Sequence, residues 1–177
     1  SRAWEPNRAK LKGVLALIHG LGEHIGRYAH VGDALTNAGY TLIGFDLRGH
    51  GNSGGGRGHF PSLPAVMQDI RQFFEQVTRR YPETPQFIYG DSLGGLLTLA
   101  YALQYSGGLK GAIVTGSALR CSLQEQKAKI AMVNILGSLL PGLTIPSGLD
   151  ATTISRDPEV VKKYVHDPLV HDKTSLG

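Results

Sequence analysis

Four short apolar runs, separated by stretches with helical spacing, constrain the fold of this chain most strongly. The runs do not alternate strictly between apolar and polar residues, so we expect each to be a strand buried on both faces of a parallel sheet. Between them, apolar residues recur at steps of three and four, as in amphipathic helices. The order strand, helix, strand, helix predicts a doubly wound, mostly parallel α/β sheet. The four runs are 14–18, 41–45, 86–89 and 112–115.

The alternation of predicted strands and helices ends after the fourth run. Residues 119–166 hold a helical pattern around Met132 to Leu140, a "PGLTIPSG" stretch, and a shorter helical pattern near 157–165, with no further strand signal. We therefore predict three segments: the N-terminal part of the α/β core (1–118), a helical cap or lid inserted above the sheet (119–166), and a return toward the core (167–177). The abrupt start and end suggest a chain truncated at both ends.

Composition and charge exclude several classes of function. The chain has 177 residues, a net charge of +4 spread along its length, and one cysteine, Cys121. The basic residues form no cluster, so we expect no nucleic-acid partner, and a lone cysteine forms no internal disulfide. The seven histidines show no metal-binding spacing, so no metal is expected.

The segment "GHGNSG" (49–54) matches a glycine pattern found in dinucleotide-binding proteins, and it follows a predicted strand. However, the next residues are "GGRGHFPSLP", which supply no helix N-terminus to bind a pyrophosphate. We therefore interpret the segment as a turn and expect no cofactor.

The segment "IYGDSLGG" (88–95) carries the strongest chemical signal, because it leaves a predicted strand and enters a predicted helix. A serine at such a turn is exposed at the carboxyl edge of the sheet. Gly90 and Gly94 provide room where the turn is crowded. Ser92 is therefore a candidate nucleophile, and the backbone N–H of Leu93 is a candidate oxyanion donor. A second donor usually comes from the loop after an earlier strand, and in "IHGLGEH" (18–24) we expect it to be the N–H of Leu21.

Three segments together resemble one family: "HGLGEHIGRY" (19–28), "FDLRGHGNSGGGRGHF" (45–60) and "GDSLGG" (90–95). Their order is similar to that of the monoacylglycerol lipase and lysophospholipase branch of the α/β hydrolases. The resemblance covers essentially the whole chain. It implies an α/β-hydrolase fold and hydrolysis of single-chain lipid esters by a Ser–Asp–His triad without metal or cofactor. It also implies that Ser92 is the nucleophile and that Leu21 and Leu93 form the oxyanion hole.

The chain departs from this family at two points. Members often carry His before the nucleophile, where this chain has Asp91, which we expect to point away from the serine and to be bonded beneath the turn. The acids and histidines after Ser92 follow no recognisable strand, so we expect the triad acid and histidine to lie beyond Gly177. If they were absent from the protein, it would be a hydrophobic-ligand binding module without catalysis. Peptidase or acyltransferase chemistry on the same scaffold is another alternative.

The sequence leaves the partners only partly defined. A small lipid ester is the expected substrate, and the cap offers a surface for transient contact with a membrane. The oligomeric state is not determined by the sequence. The compartment is also open, with a cytoplasmic or peripheral-membrane location favoured.

Overall fold

A five-stranded sheet forms the centre of the molecule. The computed structural model describes residues 1–7, 11–105, 107–117, 119, 135–140 and 142–176. The sheet has the order β1-β3-β2-β4-β5, and its strands are parallel except for β1, which runs antiparallel to β3. The four predicted strands are confirmed, and β1 lies in the opening residues. The strands are β1 Arg2–Trp4, β2 Gly13–Ile18, β3 Tyr40–Gly44, β4 Gln86–Asp91 and β5 Leu109–Thr115.

Three helices connect the parallel strands, as the helical spacing predicts. They are α1 Ala29–Ala38, which follows a short 3₁₀ helix at Ile25–Tyr28, α2 Leu63–Arg80 and α3 Leu93–Gln104. Helix α1 ends at Gly39, which takes the left-handed conformation with φ 91° that glycine adopts without steric cost. Helix α2 begins at Ser62, whose side chain accepts a hydrogen bond from the N–H of Ala65.

The two faces of the sheet carry separate apolar clusters. On one face, Val14, Ala16 and Ile18 of β2 pack with α2 and α3. On the other face, Leu15 and Leu17 pack with α1. Every residue of β2 is buried, as expected for the central strand of a parallel sheet covered on both sides. Strand β5 differs from the prediction of burial on both faces, because it lies at the edge of the sheet and Ile113 is 44% exposed.

The topology determines where a site can form. β2 is followed by α1 on one face, whereas its neighbour β4 is followed by α3 on the other face. A crevice therefore opens between the loops that leave the carboxyl ends of β2 and β4. These loops contain "HGLGEH" and the turn at Ser92.

The segment after β5 contains two short strands that the sequence pattern did not reveal. β6 Thr144–Pro146 pairs antiparallel with β7 Lys173–Ser175, so the expectation that no strand follows β5 is wrong. Three-residue strands with polar residues carry too little pattern to be found from sequence. The shorter helix is confirmed as α4 Pro158–Val165, preceded by a 3₁₀ turn at Ala151–Thr153.

Two backbone hydrogen bonds join β7 and the residues just before it to loops of the core. The N–H of His171 donates to the carbonyl of Gly22 over 2.8 Å, and the N–H of Ser175 donates to that of Gly58 over 2.9 Å. Of the longer helical pattern, residues 135–139 are helical, while Met132 and Cys121 lie outside the described residues. Within the described part of the chain, no helix has the length and apolar character needed to cross a bilayer.

Candidate active site

Ser92 lies in a sharp turn between β4 and α3. Its backbone has φ 53° and ψ −118°, a conformation that is costly for any residue with a side chain. The turn is stabilised from the neighbouring strand, because the N–H of Ser92 donates to the carbonyl of Thr115 at the end of β5 over 2.9 Å. The structure therefore has the strand, strained serine and helix that a nucleophile elbow requires.

Glycines allow the backbone segments around Ser92 to approach one another. A Cβ atom on Gly90 would collide with the carbonyl of Gly94 and the hydroxyl of Thr98. A Cβ atom on Gly94 would collide with the carbonyls of Ile18 and His19. A Cβ atom on Gly20 would lie 3.3 Å from the Cβ of Ser92. The end of β2 and its loop are thus packed directly against the turn that carries the serine.

His19 fixes the start of this loop from within the core. Its side chain is fully buried, and its Nε2 accepts a hydrogen bond from the N–H of Leu47 over 2.9 Å. Nδ1 therefore carries the proton, which it donates to the carbonyl of Gly20 over 2.8 Å. Burial lowers the pKa of His19 to about 4, so the ring is neutral at physiological pH.

The carboxylate of Glu23 holds the rest of the loop. Glu23 is buried, with only 6% of its surface exposed. One of its carboxylate oxygens accepts hydrogen bonds from the N–H of Gly20 and the hydroxyl of Tyr28, both over 2.7 Å. The other oxygen pairs with Arg27. Burial raises the pKa of Tyr28 far above its ordinary value, and the charge of Glu23 raises it further. The loop 19–24 is therefore cross-linked to the 3₁₀ helix that follows it.

The two expected oxyanion donors lie on the segments that meet at this point. Leu93 is the first residue of α3, so its N–H has no acceptor within the helix. The N–H of Leu21 donates to no described residue, and Leu21 lines the same cavity as Ser92. The side chain of Leu93 packs on the core cluster of α2 and α3. The arrangement leaves two backbone donors near the serine that have no other partner among the described residues.

Asp91 does not lie where the sequence analysis placed it. Its side chain is half-buried and lines the cavity beside Ser92, rather than lying beneath the turn. The hydroxyl of Thr115 donates to its Oδ1 over 2.5 Å. Asp91 and Thr115 face each other across the parallel pairing of β4 and β5. Because side chains alternate along a strand, Asp91 lies on the same face of β4 as Tyr89, which packs in the cluster on the side of α1.

A cavity of about 630 Å³ opens above Ser92. Its floor is formed by Gly20, Leu21 and Ser92. The segment between β6 and α4 contributes the apolar residues Leu149, Ala151 and Ile154 to the lining, and α4 contributes Tyr164. The described helical turn 135–139 contributes no residue to this lining. A volume of this size matches sites for small organic ligands.

None of the described histidines forms a hydrogen bond to the hydroxyl of Ser92. His24 instead binds Asp167 over 2.9 Å. Burial opposes ionisation of Asp167, but its hydrogen bonds from His24 and from the N–H of Leu169 outweigh this and lower its pKa. His171 binds the carbonyl of Gly49. The structure thus brings together Ser92, Leu21 and Leu93, and shows no triad partner among the described residues.

The loop histidines His50 and His59 are only partly hydrogen-bonded. His50 donates from Nδ1 to the carbonyl of Arg48 over 2.9 Å, while its buried Nε2 has no partner among the described residues. The buried Nδ1 of His59 also lacks a partner there. The segment 49–54 forms a turn closed by a hydrogen bond from Gly49 N–H to Gly54 carbonyl. Among the described residues no cluster of three or more His, Cys, Asp or Glu side chains is suited to a metal ion.

Several residues that position the site were not predicted from the sequence. Glu23 and Tyr28 hold the loop that carries Leu21, and Thr115 holds both Ser92 and Asp91. A signal for Glu23 was present, because a glutamate between "HGLG" and "H" in a buried loop needs partners. No local signal identifies Thr115, because its role depends on strand pairing.

Comparison with known proteins agrees with this geometry. A monoacylglycerol lipase of Mycolicibacterium smegmatis is 37% identical over 168 residues, covering 95% of this chain and 59% of that protein. The crystal structure of the Paleococcus ferrophilus monoacylglycerol lipase superposes with a TM-score of 0.86 at 36% identity, covering 99% of this chain and 65% of that one.

A soluble variant of monoglyceride lipase from Saccharomyces cerevisiae, solved with a substrate analogue, gives a TM-score of 0.85 at 26% identity, covering 98% of this chain and 60% of that one. The chain thus spans 59 to 65% of the length of these three proteins. The sequence model of the family Hydrolase_4, described as "Serine aminopeptidase, S33", matches residues 9–177. With its mostly parallel sheet and its serine turn, this chain belongs to the Hydrolase_4 family and has the α/β-hydrolase fold.

Proposed function

We propose that the protein is a serine hydrolase that cleaves carboxylic esters of single-chain lipids, of the monoacylglycerol or lysophospholipid type. The strained conformation of Ser92, at the floor of a cavity with an apolar wall, carries this proposal. It is supported by the likeness to a bacterial monoacylglycerol lipase and to an archaeal one. The activity and the substrates of the whole protein are inferred from a chain that spans part of those relatives.

In the proposed mechanism, the hydroxyl of Ser92 attacks the ester carbonyl. The negative charge that develops on the carbonyl oxygen is stabilised by the N–H groups of Leu21 and Leu93. A histidine oriented by an acid takes the serine proton and passes it to the leaving alcohol, and water then releases the fatty acid. Neither partner is assigned among the described residues.

The cap contributes the apolar part of the site in this proposal. Leu149, Ala151 and Ile154 line the same cavity as Ser92, where they would shield an acyl chain from water. We propose that residues 119–166 act as this cap and that residues 167–177 return to the core. Contact of the cap with a lipid surface belongs to the same proposal.

Covalent labelling tests the proposal most directly. We expect one equivalent of a fluorophosphonate to add to the full-length protein, with the adduct mapped to Ser92 by peptide mass spectrometry. The variant Ser92→Ala should lose both the adduct and ester turnover. Ser62→Ala is the matched control, since it removes a helix-capping hydroxyl on α2 and should keep both. An adduct at another residue, or full turnover by Ser92→Ala, would contradict the assignment.

Peptide hydrolysis is a second candidate, because the matching family carries the description of a serine aminopeptidase. The same nucleophile and oxyanion donors serve both reactions. A panel of esters and aminoacyl amides with matched acyl groups distinguishes them. Turnover of the amides at rates equal to or above those of the esters would favour the peptidase.

A further inference from the structure

The cavity above Ser92 carries an excess of negative charge, although the chain has a net charge of +4. The charged residues of its lining are Glu23, Asp91, Asp150 and Arg27, and the lining also includes the exposed His30, whose Nδ1 lies 3.1 Å from the carbonyl of Arg27. Arg27 forms an ion pair with Glu23, and its guanidinium also lies over the ring of Tyr164. Arg27 therefore neutralises Glu23 and leaves the other two carboxylates uncompensated within the described lining.

Of these two carboxylates, Asp91 is the one that is held on the same residue of β5 as Ser92. Asp150 is exposed to solvent, and its carboxylate binds the N–H and the hydroxyl of Thr152, so water screens its charge. Asp91 is half-buried and adjacent to Ser92 in the chain. None of the described lysine, arginine or histidine side chains pairs with it.

Thr115 fixes the position of this carboxylate relative to the serine. Its hydroxyl donates to Oδ1 of Asp91 over 2.5 Å, and its carbonyl accepts the N–H of Ser92 over 2.9 Å. One residue of β5 thus holds both the charge and the proposed nucleophile. Gly116, which follows, also lines the cavity, and a Cβ there would lie 3.5 Å from Oδ1 of Asp91.

We propose that Asp91 determines the charge specificity of the site: it disfavours esters whose headgroup is anionic and leaves neutral headgroups, such as glycerol, as the accepted class. The proposal rests on the proposed function, since it places the headgroup in the cavity beside Ser92. A phosphate on the headgroup would lie in the same cavity as a fixed carboxylate with no cation between them. Repulsion between two like charges roughly 6 Å apart in a cavity open to water, with an effective dielectric constant of roughly 40, amounts to roughly a tenfold loss in affinity.

Two esters that differ only in the phosphate test this selection. The full-length protein is assayed below the critical micelle concentration with 1-decanoylglycerol and with 1-decanoylglycerol 3-phosphate. We expect kcat/KM to favour the neutral ester, and Asp91→Asn to reduce this preference roughly tenfold. Asparagine has the same shape and can still accept the hydrogen bond from Thr115. The preference of the wild type should also decrease with added salt.

Glu83→Gln is the matched control for net charge. Glu83 precedes β4, whereas Asp91 ends it, so the strand rise separates them by roughly 17 Å or more. This variant removes one negative charge from the opposite edge of the sheet. It should leave the preference between the two esters unchanged.

Binding of uncleavable ligands separates failure of this proposal from failure of the proposed function. Decyl glycerol ether and decyl phosphate are titrated calorimetrically into Ser92→Ala, with and without Asp91→Asn. A preference for the ether that Asp91→Asn removes supports the proposal even if no ester is turned over. The proposal is overturned if the two ligands bind equally to the parent, or if Asp91→Asn and Glu83→Gln change their ratio by the same amount.

Discussion

At the scale of single residues, Ser92 combines two requirements that oppose each other. The proposed chemistry needs a hydroxyl at the tip of the turn, while φ of 53° favours a residue without a Cβ atom. The strained conformation is held by the hydrogen bond from the N–H of Ser92 to the carbonyl of Thr115 and by the close approach of Gly94 to the end of β2. A serine in this conformation therefore lowers the stability of the fold in return for exposure of its hydroxyl.

The strain leads to a stability prediction. We expect Ser92→Gly to have a free energy of unfolding about 1 kcal/mol higher than Ser92→Ala, because only the alanine has a Cβ in the strained turn. Both variants should be inactive. Urea denaturation measures the difference.

The matched control is Leu103, which is 88% exposed in α3. There the order should reverse, with Leu103→Ala more stable than Leu103→Gly by about 1 kcal/mol. If alanine were the more stable replacement at both positions, the backbone of Ser92 would not be strained.

At the scale of elements, the loop 19–24 depends on buried polar contacts. Glu23 can hold Gly20 in place only because Tyr28 and Arg27 satisfy the rest of its carboxylate. The desolvation of a carboxylate is costly unless such partners are present. The position of the Leu21 N–H is therefore set by the 3₁₀ helix that follows, rather than by the loop itself.

Removal of the Tyr28 hydroxyl tests this dependence. Tyr28→Phe should lower the free energy of unfolding by about 1 kcal/mol and lower kcat for a neutral ester roughly five- to tenfold, because the loop bearing Leu21 loses one of its ties. The rate of fluorophosphonate labelling should fall in parallel. Tyr40→Phe is the control, since Tyr40 begins β3 at the other end of the sheet. Unchanged labelling by Tyr28→Phe would show that Glu23 does not position the oxyanion donor.

The elements also show what can be predicted from sequence. The four parallel strands and their helices follow from local periodicity, and the serine turn follows from the spacing of Gly90 and Gly94. The direction of the Asp91 side chain does not, because it is set by the pairing of β4 with β5. The pairing of β6 with β7 is hidden for the same reason: it joins residues about thirty positions apart through strands of three residues. Contacts between distant segments leave no local pattern.

At the scale of the whole molecule, buried histidines connect the core loops. His50 lies between His19, with ring centroids 5.4 Å apart, and His171, at 4.8 Å. His171 lies between α4 and β7, and its Nε2 donates to the carbonyl of Gly49. The cluster therefore joins the loop after β2, the loop after β3 and the segment between α4 and β7. Protonation of these rings would place like charges together in the core.

The pH dependence of stability follows from this cluster. Burial lowers the pKa of both His19 and His50 from 6.5 to about 4. In the unfolded chain both rings bind a proton below pH of about 6.5. In the folded protein both rings stay unprotonated until the pH falls to about 4. The unfolded state thus binds more protons in this window, so stability is retained above pH of about 7 and falls as the pH is lowered toward 4. The loss approaches roughly 3 kcal/mol per histidine.

Urea denaturation at several pH values between about 7.5 and 4.5 measures this loss. The window excludes Asp167, whose pKa is lowered below 3.8, so its contribution is lost only at more acidic pH. His50→Leu should remove a large part of the pH dependence, roughly the 3 kcal/mol of one ring, while His19 and His171, whose pKa burial also lowers, still resist protonation. It should also resist unfolding at pH of about 5 better than its stability at neutral pH would indicate, since one fewer buried ring is protonated on unfolding. A stability that stays constant from about pH 7 to 5 would show that these rings are not held neutral in the core.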